Sequence, residues 1–157
     1  MKYVLLQKAK YILGDVIASI TAYSSLYIYR KLVIEKAHFG VSELEFSQNY
    51  FIGLVTLPLF WVTLYGITGF YRDIYRRSRL KELIYTFNAS LLGSVFIFFA
   101  LMLDDTVASY QDYYRAFLLY LTVHFLLTAL LRFLLSSYTA YQIKKGIITF
   151  PTLLIGS

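Results

Sequence analysis

Apolar positions gather into four long runs, 11–29, 51–70, 83–103 and 113–135, with polar positions in the short stretches between them. A helix that crosses a bilayer needs about 20 predominantly apolar residues. Each run meets that length, so the pattern predicts an all-α membrane protein of four transmembrane helices. Ahead of them, residues 1–10 carry Lys2, Lys8 and Lys10 and no acid, while Tyr3, Val4, Leu5 and Leu6 are apolar. That mixture suits a basic interfacial segment lying along the headgroups. Residues 30–50 form a mixed polar connection, 69–83 a basic one, and Asp104, Asp105 and Asp112 mark a short acidic one.

Within the spans, small and hydroxylated residues of the first run (Ala18, Ser19, Thr21, Ala22, Ser24, Ser25) let helices approach closely in lipid. Pro58 in the second run is expected to kink the helix or free a carbonyl, which membrane helices tolerate when neighbours re-satisfy the backbone. Tyrosines near the run ends, such as Tyr29, Tyr50, Tyr71, Tyr110, Tyr114, Tyr138 and Tyr141, read as an aromatic belt.

Composition narrows the class. Only 15% of residues are charged against 59% hydrophobic, where a soluble domain carries about 25% charged. The net charge of +6 sits between and beside the apolar runs. This points to anionic lipid as the partner and away from nucleic acid. Cysteine is absent, which excludes disulfides and thiolate metal sites. The first run is longer than a signal-peptide core, contains Asp15 and lacks a clear cleavage site. Ten basic residues fall on one side of the spans (Lys2, Lys8, Lys10, five in 69–83, Lys144 and Lys145) and only Arg30, Lys31, Lys36 and Arg115 on the other. Basic residues resist translocation, so both termini are predicted to be cytoplasmic.

Three groups of residues invite chemistry. Arg72, Arg76, Arg77, Arg79 and Lys81 concentrate charge in 69–83. On a helix, Arg72, Arg76 and Arg79 would share one face. They can grip a lipid-borne phosphate or act as a snorkelling orientation signal. Asp15 and Arg132 lie at similar depth in the first and fourth runs. A charge exposed to lipid costs about 2.5–3.5 kcal/mol on insertion scales, so the two are expected to pair across the bundle as a structural ion pair. His124, mid-run, is read as a buried histidine bonded to a neighbouring Ser, Thr or Tyr. With His38 it offers no metal-ligand spacing. The three aspartates could hold a divalent cation through oxygen but read as a solvated turn, so no metal site and no catalytic residue is assigned.

The stretch 69–83, GFYRDIYRRSRLKEL, resembles the loop between the second and third spans of the bacterial polyprenyl-phosphate sugar-1-phosphate transferases. The matching positions are Gly69, Tyr71, Arg72, Arg76, Ser78, Glu82 and Leu83; Phe70 stands where Leu is commoner. Residues 152–157 (TLLIGS) look like the first strand and glycine turn of the cytoplasmic Rossmann-like α/β domain that follows the fourth span in that family. The resemblance implies the membrane-anchoring region of an enzyme of the bacterial inner membrane. Such an enzyme moves a sugar-1-phosphate from a nucleotide sugar to polyprenyl phosphate, initiating exopolysaccharide, capsule or O-antigen synthesis. Catalysis, and any Mg2+, would then belong to a full-length parent, with no cofactor in this region. Membrane-bound nucleotide-sugar dehydratases and epimerases of the same pathways look similar here. A small four-helix transporter or flippase, an assembly module, and a homo-oligomer stay open as well.

Overall fold

The computed structural model describes residues 2–40, 46–72, 78–102 and 110–145. All secondary structure among them is helical: α1 (Lys2–Tyr29), a π-helical segment (Arg30–Glu35), α2 (Lys36–Phe39), α3 (Gln48–Ile67), α4 (Arg79–Met102) and α5 (Tyr110–Lys144). Four stretches are long and apolar enough to cross a membrane: Leu5–Glu35, Gln48–Ile67, Arg79–Ala100 and Tyr110–Lys144. Residues 146–157, where the Rossmann-like domain is expected to begin with a strand and glycine turn at 152–157, lie outside the described residues.

Helix ends depart from the apolar limits for identifiable reasons. Residues 2–10 run on into the first span as the opening turns of α1, and Gln7 on them is buried. Beyond Tyr29 the helix carries on through Arg30 and Lys31 as a π-helical segment and then α2. Arg, Lys, Leu and Glu are good helix formers, so leaving the apolar zone does not end a helix. It stops at Gly40, whose positive φ of 68° caps α2. Pro58 is accommodated inside an α3 that runs unbroken to Ile67.

That end falls three residues short of the second apolar run, because Gly69 adopts φ +72°. Its N–H bonds the carbonyl of Gly66 at 3.1 Å, and the Phe70 N–H reaches back to the carbonyl of Tyr65 at 2.9 Å. These two bonds define a Schellman terminus with glycine in the left-handed position. The hydrophobic contact that accompanies such an end is present, with the Phe70 and Tyr65 rings 6.0 Å apart. Phe70 therefore turns inward instead of extending the span.

α1 packs along both α3 and α5, and α4 packs chiefly on α5. The outside of the bundle is studded with large apolar side chains such as Leu13, Val55, Leu92 and Leu126. The inside is where polarity collects. α1 buries Gln7, Tyr11, Asp15 and Ser19; α4 buries Thr86, Ser90 and Ser94; α5 buries Tyr120, His124, Thr128 and Arg132. Residues four apart share a helix face, so each helix presents one polar row to the others. Lipid tails are as apolar as a leucine side chain, so apolar contact alone does not hold membrane helices together. Small residues and interhelical hydrogen bonds do.

Candidate functional site

The three polar rows converge at the end of the bundle where α3 gives way to the turn 68–72. Asp15 and Arg132 are 1% and 2% exposed and meet there across α1 and α5. Arg132 Nε donates to Asp15 Oδ1 at 3.0 Å and Nη2 to Oδ2 at 2.9 Å, a bidentate fork. Nη1 donates to the Thr86 hydroxyl at 2.8 Å, and that hydroxyl donates in turn to the Glu82 carbonyl at 2.8 Å. α4 is thereby tied to the same cation.

The turn completes the site. Folded inward by the Schellman end, the Phe70 ring centre lies 3.6 Å from the Arg132 guanidinium, and the Tyr65 ring lies 4.1 Å from it. The next residue, Tyr71, donates its hydroxyl to Asp15 Oδ2 at 2.7 Å. Burial, and after it the adjacent Asp15 carboxylate, push the Tyr71 phenol above its usual range. The hydroxyl thus stays protonated and remains a donor. Tyr85 adds a hydrogen bond to the carbonyl of Thr68 that steadies the turn from α4.

A second cluster continues up the interior. Trp61 stacks on His124 with ring centres 3.8 Å apart and donates through Nε1 to the Tyr120 hydroxyl at 2.9 Å. His124 Nε2 lies 3.3 Å from the Tyr65 hydroxyl, which also lies 3.4 Å from Ser90 Oγ. His124 is thus placed against a tyrosine.

The loop cations are distributed differently from a single helical face. Arg72 is exposed in the turn after α3, and Arg79 is the first residue of α4, so one helix does not carry both. Arg76 and Arg77 lie outside the described residues. The hydroxyl of Ser78 accepts from the Lys81 N–H at 3.4 Å, the N-cap pattern that starts α4. Lys81 is exposed, and the Arg79 guanidinium sits 5.2 Å from the Phe133 ring centre. Between α4 and α5 a cavity of about 260 Å³ is lined by Arg79, Glu82, Leu83, Thr86, Arg132 and Phe133 among others. The exposed Arg79 and the buried Arg132 both line it.

Chemically, Asp15 is an occupied acceptor, and it is not presented to a substrate as a base. Mg2+ needs several free oxygen ligands in octahedral array, and neither Asp15 nor Asp112 offers a free carboxylate to one. Asp15 is engaged by Arg132 and Tyr71, and Asp112 lies 3.8 Å from Arg115. Among the described residues no three His, Cys, Asp or Glu side chains gather. Asp104 and Asp105 lie outside them.

The chain matches no known protein family, no curated protein and no solved structure at a significant level.

The sequence does not single out Phe70, which stands where Leu is commoner in the resembled family, or Tyr71, a belt and motif tyrosine, as partners of the ion pair. The signal was present in Gly69, since a glycine closing an apolar run invites a left-handed turn that swings the next side chains back.

Proposed function

We propose that this bundle is the membrane-anchoring and positioning region of a sugar transferase. The parent enzyme moves a sugar-1-phosphate from a nucleotide sugar to a polyprenyl phosphate in the bacterial cytoplasmic membrane, with both termini of the bundle inside. The observation that carries the reading is the basic stretch 69–83 and the way its described parts are used. Gly69 ends α3, Phe70 and Tyr71 dock on the Arg132–Asp15 pair, Ser78 caps α4, and Arg72, Arg79 and Lys81 are left exposed. A buried ion pair would thus hold a cationic turn at a span end. That is where a lipid phosphate and a soluble nucleotide sugar meet, and exposed Arg and Lys suit both phosphates. In this reading the chemistry belongs to a cytoplasmic domain of a longer parent, and residues 1–157 alone are inactive. A proton-coupled transporter is less well supported, because it needs an intramembrane acid free to titrate, and Asp15 is held by a guanidinium and a phenol.

The test is reconstitution of the full-length parent with polyprenyl phosphate and radiolabelled nucleotide sugars. The expected result is label in the lipid phase as sugar diphosphate-lipid, with release of nucleoside monophosphate. A dehydrated or epimerised nucleotide sugar without lipid label would move the reaction to the dehydratase class. Solute uptake by residues 1–157 alone would replace the reading with transport.

A further inference from the structure

Beyond the Asp15–Arg132 pair the polar rows run on into the middle of the bundle. The pair and Thr86 fix one level across α1, α5 and α4. One turn farther along the helices, roughly 6 Å, come Ser19, Ser90 and Thr128, and another turn brings Ser94 and His124. The Tyr65 hydroxyl joins these two levels, lying 3.4 Å from Ser90 Oγ and 3.3 Å from His124 Nε2. Past them Leu26, Ile97 and Tyr120 are buried in the core.

Three polar atoms in this file are left over. Ser19 Oγ, Ser94 Oγ and His124 Nδ1 meet no hydrogen-bond partner among the described residues. Their residues are 0%, 1% and 0% exposed. The two hydroxyls have a local alternative that they do not take. Thr21, Ser25, Thr63, Thr86 and Thr139 each donate to the carbonyl four residues back, at 2.7 or 2.8 Å, a common resort of Ser and Thr inside a helix. Ser19 and Ser94 are turned away from theirs. An unmade bond at a buried donor or acceptor is costly, and folded proteins complete such groups with protein or with ordered water.

The chemistry of the three atoms defines what completes them. Each hydroxyl can donate or accept, and Nδ1 of a neutral imidazole takes whichever role Nε2 does not. The partner must therefore be small and able to do both. A water molecule meets both conditions, and a buried one makes about three hydrogen bonds. We propose that the middle of this bundle is a hydrated site, in which ordered water molecules bind Ser19 Oγ, Ser94 Oγ and His124 Nδ1 and link α1, α4 and α5 at mid-membrane depth. The proposal is independent of the transferase reading.

The test is water-edited solid-state NMR of the whole chain in lipid vesicles, with magnetisation started on water protons and read on nitrogen-15. His38→Gln leaves His124 as the only histidine. Transfer to the His124 ring is expected to approach the rate seen at the exposed Lys81. A rate no faster than that at the buried Leu26 amide would overturn the proposal. A second readout differs in sign between a wet and a dry interior. Removing a hydroxyl bonded to water loses that bond, whereas removing one without a partner relieves its desolvation cost. Ser19→Ala and Ser94→Ala are small changes, and Trp61 fluorescence follows their unfolding as denaturing detergent is added. Each is expected to raise the unfolding equilibrium constant about fivefold, the scale of one lost hydrogen bond. A constant unchanged or lowered in either variant would contradict the proposal. A fivefold rise together with slow transfer would mean that the hydroxyls bond their own helix backbone, and that result overturns it too.

Discussion

Replacing Arg132 by Met should destabilise the bundle more than replacing both members of its ion pair. In the single variant, Asp15 stays 1% exposed and loses two of its three donors, keeping only the Tyr71 hydroxyl. Removing one partner of a buried pair costs about 3–5 kcal/mol, because the remaining charge is left without compensation. Asp15→Leu strands the guanidinium with Thr86 and two aromatic faces, and a cost of the same order follows. In D15L/R132M neither charge remains. Thr86 keeps its bond to the Glu82 carbonyl, and the Tyr71 hydroxyl alone is orphaned, at about 1–3 kcal/mol. The double variant should thus be more stable than either single one, a sign that simple additivity does not produce. The single tryptophan, Trp61, is buried on His124. Its fluorescence can follow unfolding as denaturing detergent is added to mixed micelles. Single variants within about 0.5 kcal/mol of the parent, the range of ordinary surface changes, would refute the reasoning. So would a double variant whose loss equals the sum of the two.

Other consequences are open to the same assay. Gly69→Ala places a side chain at φ +72° and should cost about 1–2 kcal/mol, with a further loss if Phe70 leaves the guanidinium. Tyr71→Phe removes a donor to a carboxylate, worth about 1.5–3 kcal/mol. It should also change the alkaline response. The Tyr71 phenol is raised in the folded chain, so above about pH 10, the ordinary tyrosine value, the unfolded chain loses a proton that the folded chain keeps. Stability then falls as pH rises, and the fall should be shallower in Tyr71→Phe. Trp61→Phe leaves the Tyr120 hydroxyl without its 2.9 Å donor. A loss of about 1–3 kcal/mol is expected, read by helical circular dichroism because the fluorophore is gone.

Much of the architecture can be read from the chain because lipid imposes simple rules. Apolar runs of span length mark the helices, and Asp15 and Arg132 stand out as charges at matching depth that lipid would not tolerate alone. The rows Thr86–Ser90–Ser94 and Tyr120–His124–Thr128–Arg132 emerge only in the fold, because polar residues four apart are common in apolar helices whether or not they face one another. Other features hide for physical reasons. Arg30 and Lys31 look like the end of a span, yet a helix does not stop where the bilayer does, and α1 passes into a π segment that hydropathy does not encode. Phe70 belongs to an apolar run by composition and to the turn by backbone geometry, and the Gly69 dihedral decides between them. The approach of Tyr71 to Asp15 is a tertiary contact between residues 56 apart in sequence, beyond the reach of any local pattern.

The proposed function requires a bundle that holds its basic turn on the side where nucleotide sugars are found. The chain lacks cysteine, so single substitutions give clean labelling positions: Ser78→Cys at the basic turn and Ser47→Cys at the other end of α3, both at exposed residues. A membrane-impermeant maleimide applied to sealed vesicles of known orientation reads which side each occupies. Labelling of Ser78→Cys is expected only from the cytoplasmic face and of Ser47→Cys only from the opposite one. Labelling of both from the same face, or of Ser78→Cys from outside alone, would contradict the proposed orientation.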